Sequence, residues 1–174
     1  MSMSLPDVIG PKLKVLFCGI NPGLLAAATG HHFAGRGNRF WRVMHLSGFT
    51  PHQIAPQDSH TILHHGCGLT TVVERVTARE DQLDPEEYRA AAGEFQRKVA
   101  RHAPAFVAFL GKPAFAGLSG QRSVAWGAQA AMIAGAKAWV LPNPSGRNRS
   151  FDLDQLIEAY QQLRYAAFGA QVPR

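Results

Sequence analysis

The chain of 174 residues is long enough for one domain with its own core; it is 46% hydrophobic and 17% charged, with a formal charge of +6 and a pI near 9.8. No apolar run reaches the roughly 18 residues that would suggest a membrane span, and no basic region followed by an apolar core opens the chain, so a cytoplasmic protein is expected. The basic balance fits either plain solubility or a polyanionic partner, chiefly nucleic acid, and the placement of the basic residues must decide between them.

In chain order, the first predicted element is Lys12–Ile20 (KLKVLFCGI), short, apolar and closed by Pro and Gly, as a strand buried on both faces would be. A helix is predicted in Asn38–Phe49, with Phe40, Val43 and Met44 on one side and Gly48 as its stop. PQDSHTILHHG reads as a short helix ending at Gly66, and Cys67–Glu74 as a strand or extended segment. Asp84–Pro104 gives the clearest helix: Asp84 suits the N-cap, Pro85 the first turn, and Glu86 and Glu87 the positive end of the dipole. Ala105–Gly111 is a second buried strand, Pro113–Leu118 a short helix, Ala136–Pro144 a third strand, and Asp152–Phe168 a closing amphipathic helix.

Strands alternating with helices predict an α/β fold, a central, mainly parallel sheet covered on both faces. No internal repeat appears, so residues 1–174 read as a single domain, with 1–11 and 169–174 expected to be loose. Cys18 and Cys67 lie in apolar surroundings and read as small buried hydrophobes. The histidines include the adjacent pairs His31–His32 and His64–His65, and no spacing suits a metal site, so none is expected.

In a sheet of this kind ligands bind at the carboxyl ends of the strands. Two strands end in specialised sequence there: GINPG after the first and PNPSGRNRS after the last. Asn21 follows the first strand directly, Pro22 fixes the backbone, and Gly23 permits close approach, although Asn-Pro-Gly also serves as a plain turn. No phosphate-binding GxxxxGK[ST] or GxGxxG string is present. In the second loop Ser145, Gly146 and Asn148 offer polar groups and flexible backbone, and Arg147 and Arg149 offer charge, so contact with DNA phosphates is favoured over a solvated basic turn. Phe33, in a Gly/His-rich loop, either packs locally or stacks on a planar ligand such as a base, and Arg36 and Arg39 add charge near the same edge.

GINPG, GHHFAGRGNRFW and an NPSG about 120 residues later, with CGLTTVVERVT and FLGKPAF between them, resemble the mismatch-specific uracil/thymine DNA glycosylases, the Mug and TDG branch of the uracil-DNA glycosylase superfamily. The resemblance runs from about Leu13 to Tyr160. It implies a three-layer α/β/α fold and a monofunctional enzyme of base excision repair. Such an enzyme flips uracil, or in some members thymine, out of a mispair with guanine in double-stranded DNA, and hydrolyses its N-glycosidic bond with no cofactor. By the resemblance Asn21 positions the attacking water, Phe33 stacks on the extruded base, Ile20 helps line the base pocket, and Asn143–Arg149 form the wedge that enters the duplex. Gly23, Thr71 and Asn143 fall among the substrate-binding positions.

Three departures stand out. Arg147 replaces an apolar plug of the bacterial wedge NPSGLSR. Thr71 stands where the family has a longer polar side chain. GLLAAATGHHF is closer to the thymine-processing branch, and the small Ala26 and Ala27 leave room for a 5-methyl group. Asp84 is expected to be an N-cap rather than an acid catalyst, and Cys18 to pack rather than react. The expected partner is double-stranded DNA carrying G:U or G:T mismatches, and the expected state a monomer. The rival readings are a DNA-damage-binding domain without turnover and an unrelated doubly wound enzyme for a nucleotide or small phosphate.

Overall fold

The computed structural model describes residues 4–170. Five strands form one sheet: β1 (Val15–Gly19), β2 (Cys67–Thr71), β3 (Phe106–Leu110), β4 (Gly127–Ile133) and β5 (Ala136–Leu141), in the spatial order β2-β1-β3-β5-β4. The pairs β1–β2, β1–β3 and β3–β5 are parallel and β4–β5 is antiparallel. The helices are α1 (Leu24–Thr29), α2 (Phe40–Leu46), α3 (Pro85–His102), α4 (Lys112–Ser119) and α5 (Leu153–Phe168), with short 3₁₀ turns at Pro56–His65 and Glu80–Gln82. This is the mixed α/β architecture with a mostly parallel central sheet that the alternation of elements predicts.

Every residue of β1, β2 and β3 is buried, because side chains alternate between two covered faces. Val15 and Phe17 point to one face, packing with Phe40 and Met44 of α2 and Leu156 and Tyr160 of α5. Leu16 and Cys18 point to the other, against Phe95 and Val99 of α3 and Phe115 of α4. Phe17 sits at the centre of its layer, edge-on to Phe40 and Phe49 at centroid distances of 5.5 and 5.3 Å. Asp84 stands at the N-cap of α3 as expected, and its N–H donates to Glu87 Oε2 at 2.9 Å.

The short helix expected in PQDSHTILHHG is 3₁₀, and one strand, one α-helix and the 3₁₀ turn at Glu80–Gln82 have no counterpart in the sequence reading. β4 has no counterpart in it: GAQAAMI alternates between half-buried and exposed, but mostly with alanine and glycine, too small to signal a strand. α1 falls between the strand expected at Lys12–Ile20 and the helix expected in Asn38–Phe49, where no element is predicted.

Nor is the chain loose throughout residues 1–11. Val8 and Leu69 exchange backbone hydrogen bonds of 2.9 and 2.7 Å, and Asp7 accepts one from Thr70 Oγ1 at 2.7 Å and pairs with Lys98 at 2.6 Å. The physical reason is the free edge of β2, whose backbone groups this segment satisfies. The parts of the expected loose termini at 1–3 and 171–174 lie outside the described residues.

The strand order places a topological switch between β1 and β3: the chain leaves β1 toward β2 on one side and leaves β3 toward β5 on the other. The crevice between their carboxyl ends is where such sheets bind ligands. Gly111 closes β3 at φ +111°, and a side chain there would meet Ile20 Cδ1 at 3.5 Å and Asn143 Cβ at 3.9 Å. The ends of β1, β3 and β5 therefore converge on one point.

Candidate active site

A cleft of about 530 Å³ opens at that point. The sequence-predicted residues Ile20, Asn21, Gly23, Phe33, Thr71, Asn143, Ser145, Gly146 and Arg147 all line it. Asn148 and Arg149 do not. Asn148 turns inward, donating from Nδ2 to the Asn143 carbonyl at 2.9 Å, and Arg149 is exposed beyond the rim.

Asn21 is half-buried and held from one side. Its Nδ2 donates to the Arg75 carbonyl at 2.7 Å and to Thr77 Oγ1 at 2.8 Å. The Thr77 hydroxyl gives its own hydrogen to the Arg79 carbonyl at 2.7 Å, so both groups facing the amide are acceptors. That fixes which end of the carboxamide is nitrogen and leaves Oδ1 as a preoriented acceptor. The 75–79 segment is anchored in turn, since Arg75 forks onto Glu87 at 2.6 and 3.0 Å and onto the Gln82 carbonyl at 2.9 Å. The Arg75 guanidinium, together with the Asp84 N–H, holds the Glu87 carboxyl down at about 2.

Phe33 has φ +57°, a conformation a bulky side chain takes only when its surroundings impose it, and one that clusters at functional sites. It stacks on Phe40 with centroids 4.0 Å apart and planes 24° from parallel. Local packing therefore uses one face of the ring, and the residue still lines the cleft. Its neighbour His32 donates from Nε2 to the Pro6 carbonyl at 2.7 Å, and its own carbonyl accepts from Trp41 Nε1 at 3.0 Å. Burial lowers the His32 pKa.

Arg39, expected to add charge near this edge of the sheet, is half-buried and folded against the 143–151 loop. It donates to the carbonyls of Phe151 (2.7 Å), Asn148 (2.9 Å) and Ser145 (3.0 Å), and its backbone N–H donates to Pro144 O at 3.0 Å. A planar guanidinium can satisfy several carbonyls of one tight loop at once. Gly146 brings this loop onto the 35–38 turn so closely that a Cβ would lie 2.9 Å from the Gly37 carbonyl oxygen. Arg147 is left exposed at the tip. Beyond the loop, Phe151 meets Trp126 edge-on at 5.2 Å, and Lys112 Nζ sits 4.5 Å over the Trp126 ring.

Thr77, Arg79 and Glu80 also line the cleft and were missed in the sequence. Thr77 closes the CGLTTVVERVT string without any local feature that assigns it a role, Arg79 and Glu80 lie outside every motif, and all three reach the site through the path of the loop after β2. Asn143 Nδ2 donates to Glu80 Oε1 at 3.2 Å, and Asn143 Oδ1 accepts from the Ser145 N–H at 2.9 Å. Thr71 ends β2 almost wholly buried beside Gly19. Cys18 and Cys67 are buried and their thiol pKa values are raised by that burial, as packing residues rather than nucleophiles would be. Among the described residues no group of three or more His, Cys, Asp or Glu could hold a metal ion, and no helix is long and apolar enough to cross a membrane.

Residues 6–164 match the family model described as the uracil DNA glycosylase superfamily. Among solved structures, the solution NMR structure of a candidate uracil DNA glycosylase from Methanosarcina acetivorans is similar in fold, with a TM-score of 0.64 and 20% identity over 94% of this chain and 97% of that one.

Proposed function

The chain belongs to the uracil DNA glycosylase superfamily, and we propose that it is a monofunctional, mismatch-directed member of it. On this reading it flips uracil out of G·U pairs in duplex DNA, hydrolyses the glycosidic bond and leaves an abasic site for excision repair in the cytoplasm, acting as a monomer. The observation that carries the proposal is the Asn21 carboxamide, held through its nitrogen by Arg75 and Thr77 with its oxygen left to orient a water.

A base cannot be attacked inside the stack, so it must be extruded, and a mispaired base is cheaper to extrude by part of a few kcal/mol. The cleft at the end of β1 would receive the base, with Phe33 on its ring face and Ile20, Gly23 and Thr71 around it. Asn143 belongs to the same wall. The 145–149 loop, braced from behind by Arg39, would fill the vacated space, with Arg147 hydrogen bonding the widowed guanine or a phosphate. Bond breaking places negative charge on the leaving base, and preorganised backbone dipoles at the end of β1 suit its stabilisation. Ala26 lines the cleft and is small, which supports some activity on thymine opposite guanine.

The test is alkali-revealed strand cleavage of labelled duplexes holding a central G·U, G·T, A·U or G·C pair, at enzyme excess. Cleavage of G·U in preference to A·U is expected, with slower G·T cleavage and none at G·C. Equal cleavage of A·U would remove the mismatch direction. Binding without cleavage of any duplex would mean a damage-binding domain instead.

A further inference from the structure

Among the described residues that line the cleft, Glu80 is the one acidic residue, in a chain of net charge +6, and it shares that lining with Arg36, Arg79 and Arg147. A carboxylate there opposes the binding of a polyanion. It is also held in place: Oε1 accepts from Asn143 Nδ2 at 3.2 Å, and among the described residues no hydrogen bond engages Oε2. Arg79 turns its guanidinium to Asp81 at 3.2 Å rather than to Glu80. Asn143 is anchored in turn by the Ser145 N–H and lies beside Ile20 at the Gly111 contact, one residue from Asn21.

Taking the glycosylase reading as its premise, we propose that Glu80 is a catalytic carboxylate that works with Asn21. The chemistry needs such a group. As the C1′–N1 bond breaks, its electron pair leaves on the base nitrogen and positive charge builds on the sugar. Water, oriented by Asn21 Oδ1, adds an oxygen lone pair to C1′, and its surplus proton must go to a base. A carboxamide orients water but does not take its proton at neutral pH. The Glu80 carboxylate offsets the cationic sugar and accepts that proton, which passes to solvent; the departing base anion takes a proton from solvent, and the sum is water plus nucleotide giving base plus abasic site. Glu80 lies in the 3₁₀ turn that follows the Asn21 anchor at 75–77, so one short segment sets both the orienting amide and the base.

Glu80→Gln separates this role from a structural one, because glutamine keeps an oxygen for Asn143 Nδ2 and loses only the charge. The probes are single-turnover cleavage of a G·U duplex and equilibrium binding of the abasic product duplex. Glu80→Gln should slow cleavage about 100-fold, the lower end of general-base effects, with abasic-duplex affinity unchanged or tighter. Glu80→Asp should recover part of the rate. Cleavage by Glu80→Gln within threefold of wild type would overturn the proposal, as would parallel loss of cleavage and product affinity. Absence of cleavage by the wild type itself would defeat the glycosylase reading, whereas an active wild type with an equally active Glu80→Gln defeats this inference alone.

Discussion

Asn21 Nδ2 lies 2.8 Å from Thr77 Oγ1, and the Thr77 hydroxyl hydrogen is committed to the Arg79 carbonyl, so the carboxamide can sit only one way round. Orientation of Asn21 is thus set by residues more than fifty positions away in the chain.

Thr77→Val keeps the shape of the side chain and removes that acceptor. The loss of one such hydrogen bond, about 1–3 kcal/mol, corresponds to a single-turnover rate on G·U duplex lower by roughly 5- to 150-fold. Affinity for abasic duplex should stay within about threefold, because the 143–151 loop proposed to contact the DNA is untouched. Equal losses in both measurements would place Thr77 in general folding of the cleft.

Arg39 braces the 143–151 loop. Arg39→Lys keeps the charge and loses the fork that reaches Ser145, Asn148 and Phe151, so it should destabilise the protein by about 2 kcal/mol and weaken abasic-duplex binding. Thermal unfolding with and without abasic duplex checks both. A variant with wild-type stability and DNA affinity would show that the loop holds its shape unaided.

Gly146→Ala should act on the same loop from the opposite side. A Cβ would come within 2.9 Å of the Gly37 carbonyl oxygen, so one of the two loops must shift. Base excision should fall at least tenfold, an effect typical of an ångström-scale misplacement near the chemistry. Removing the exposed charge alone, by Arg147→Ala, should leave stability unchanged within about 0.5 kcal/mol. Its effect should appear as weaker mispair binding and a salt slope shallower by about one.

The Arg75–Glu87 pair gives a pH prediction. The Glu87 carboxyl is held at about 2, below its ordinary 4.5, so the unfolded state binds more protons than the folded one between these values. The contribution is complete above about pH 4.5 and is lost as pH falls through about 2. Glu87→Gln should therefore flatten the loss of stability in that window and be nearly neutral there at its acid end. Because Arg75 also holds Asn21, the same variant should slow cleavage at neutral pH. Urea midpoints from pH 2 to 7 measure the first effect, and single-turnover rates the second.

The parts of this architecture legible in the sequence are those where one residue type has one physical use. VLFCG could only be a doubly buried strand, and Asp84-Pro85 could hardly be anything but a helix start. The loops at Asn21 and Asn143 stood out because each places Asn, Pro and Gly close together directly after a strand, residues that fix or free the backbone at defined positions. β4 was illegible because alanine carries little hydrophobic contrast, and it is held by pairing with β5 rather than by its own pattern. The sequence places Arg39 near the edge that carries the Asn21 and Asn143 loops, where it is found, but charge alone does not tell which carbonyls a guanidinium will satisfy. Glu80 gave no signal at all, and Thr77 none beyond closing the CGLTTVVERVT string: their place at the cleft follows from how the loop after β2 folds back over Pro22, where Thr77 N–H donates to the Pro22 carbonyl at 3.2 Å.

The most direct test of the central claim is the single-turnover rate of uracil release from a G·U duplex by wild type and by Asn21→Ala, alongside the affinity of both for abasic duplex. The account predicts rapid release by the wild type, a fall of at least about 100-fold in the variant, in the range for removal of a group used in the transition state, and product affinity preserved. An Asn21→Ala enzyme that cleaves as fast as the wild type would contradict it.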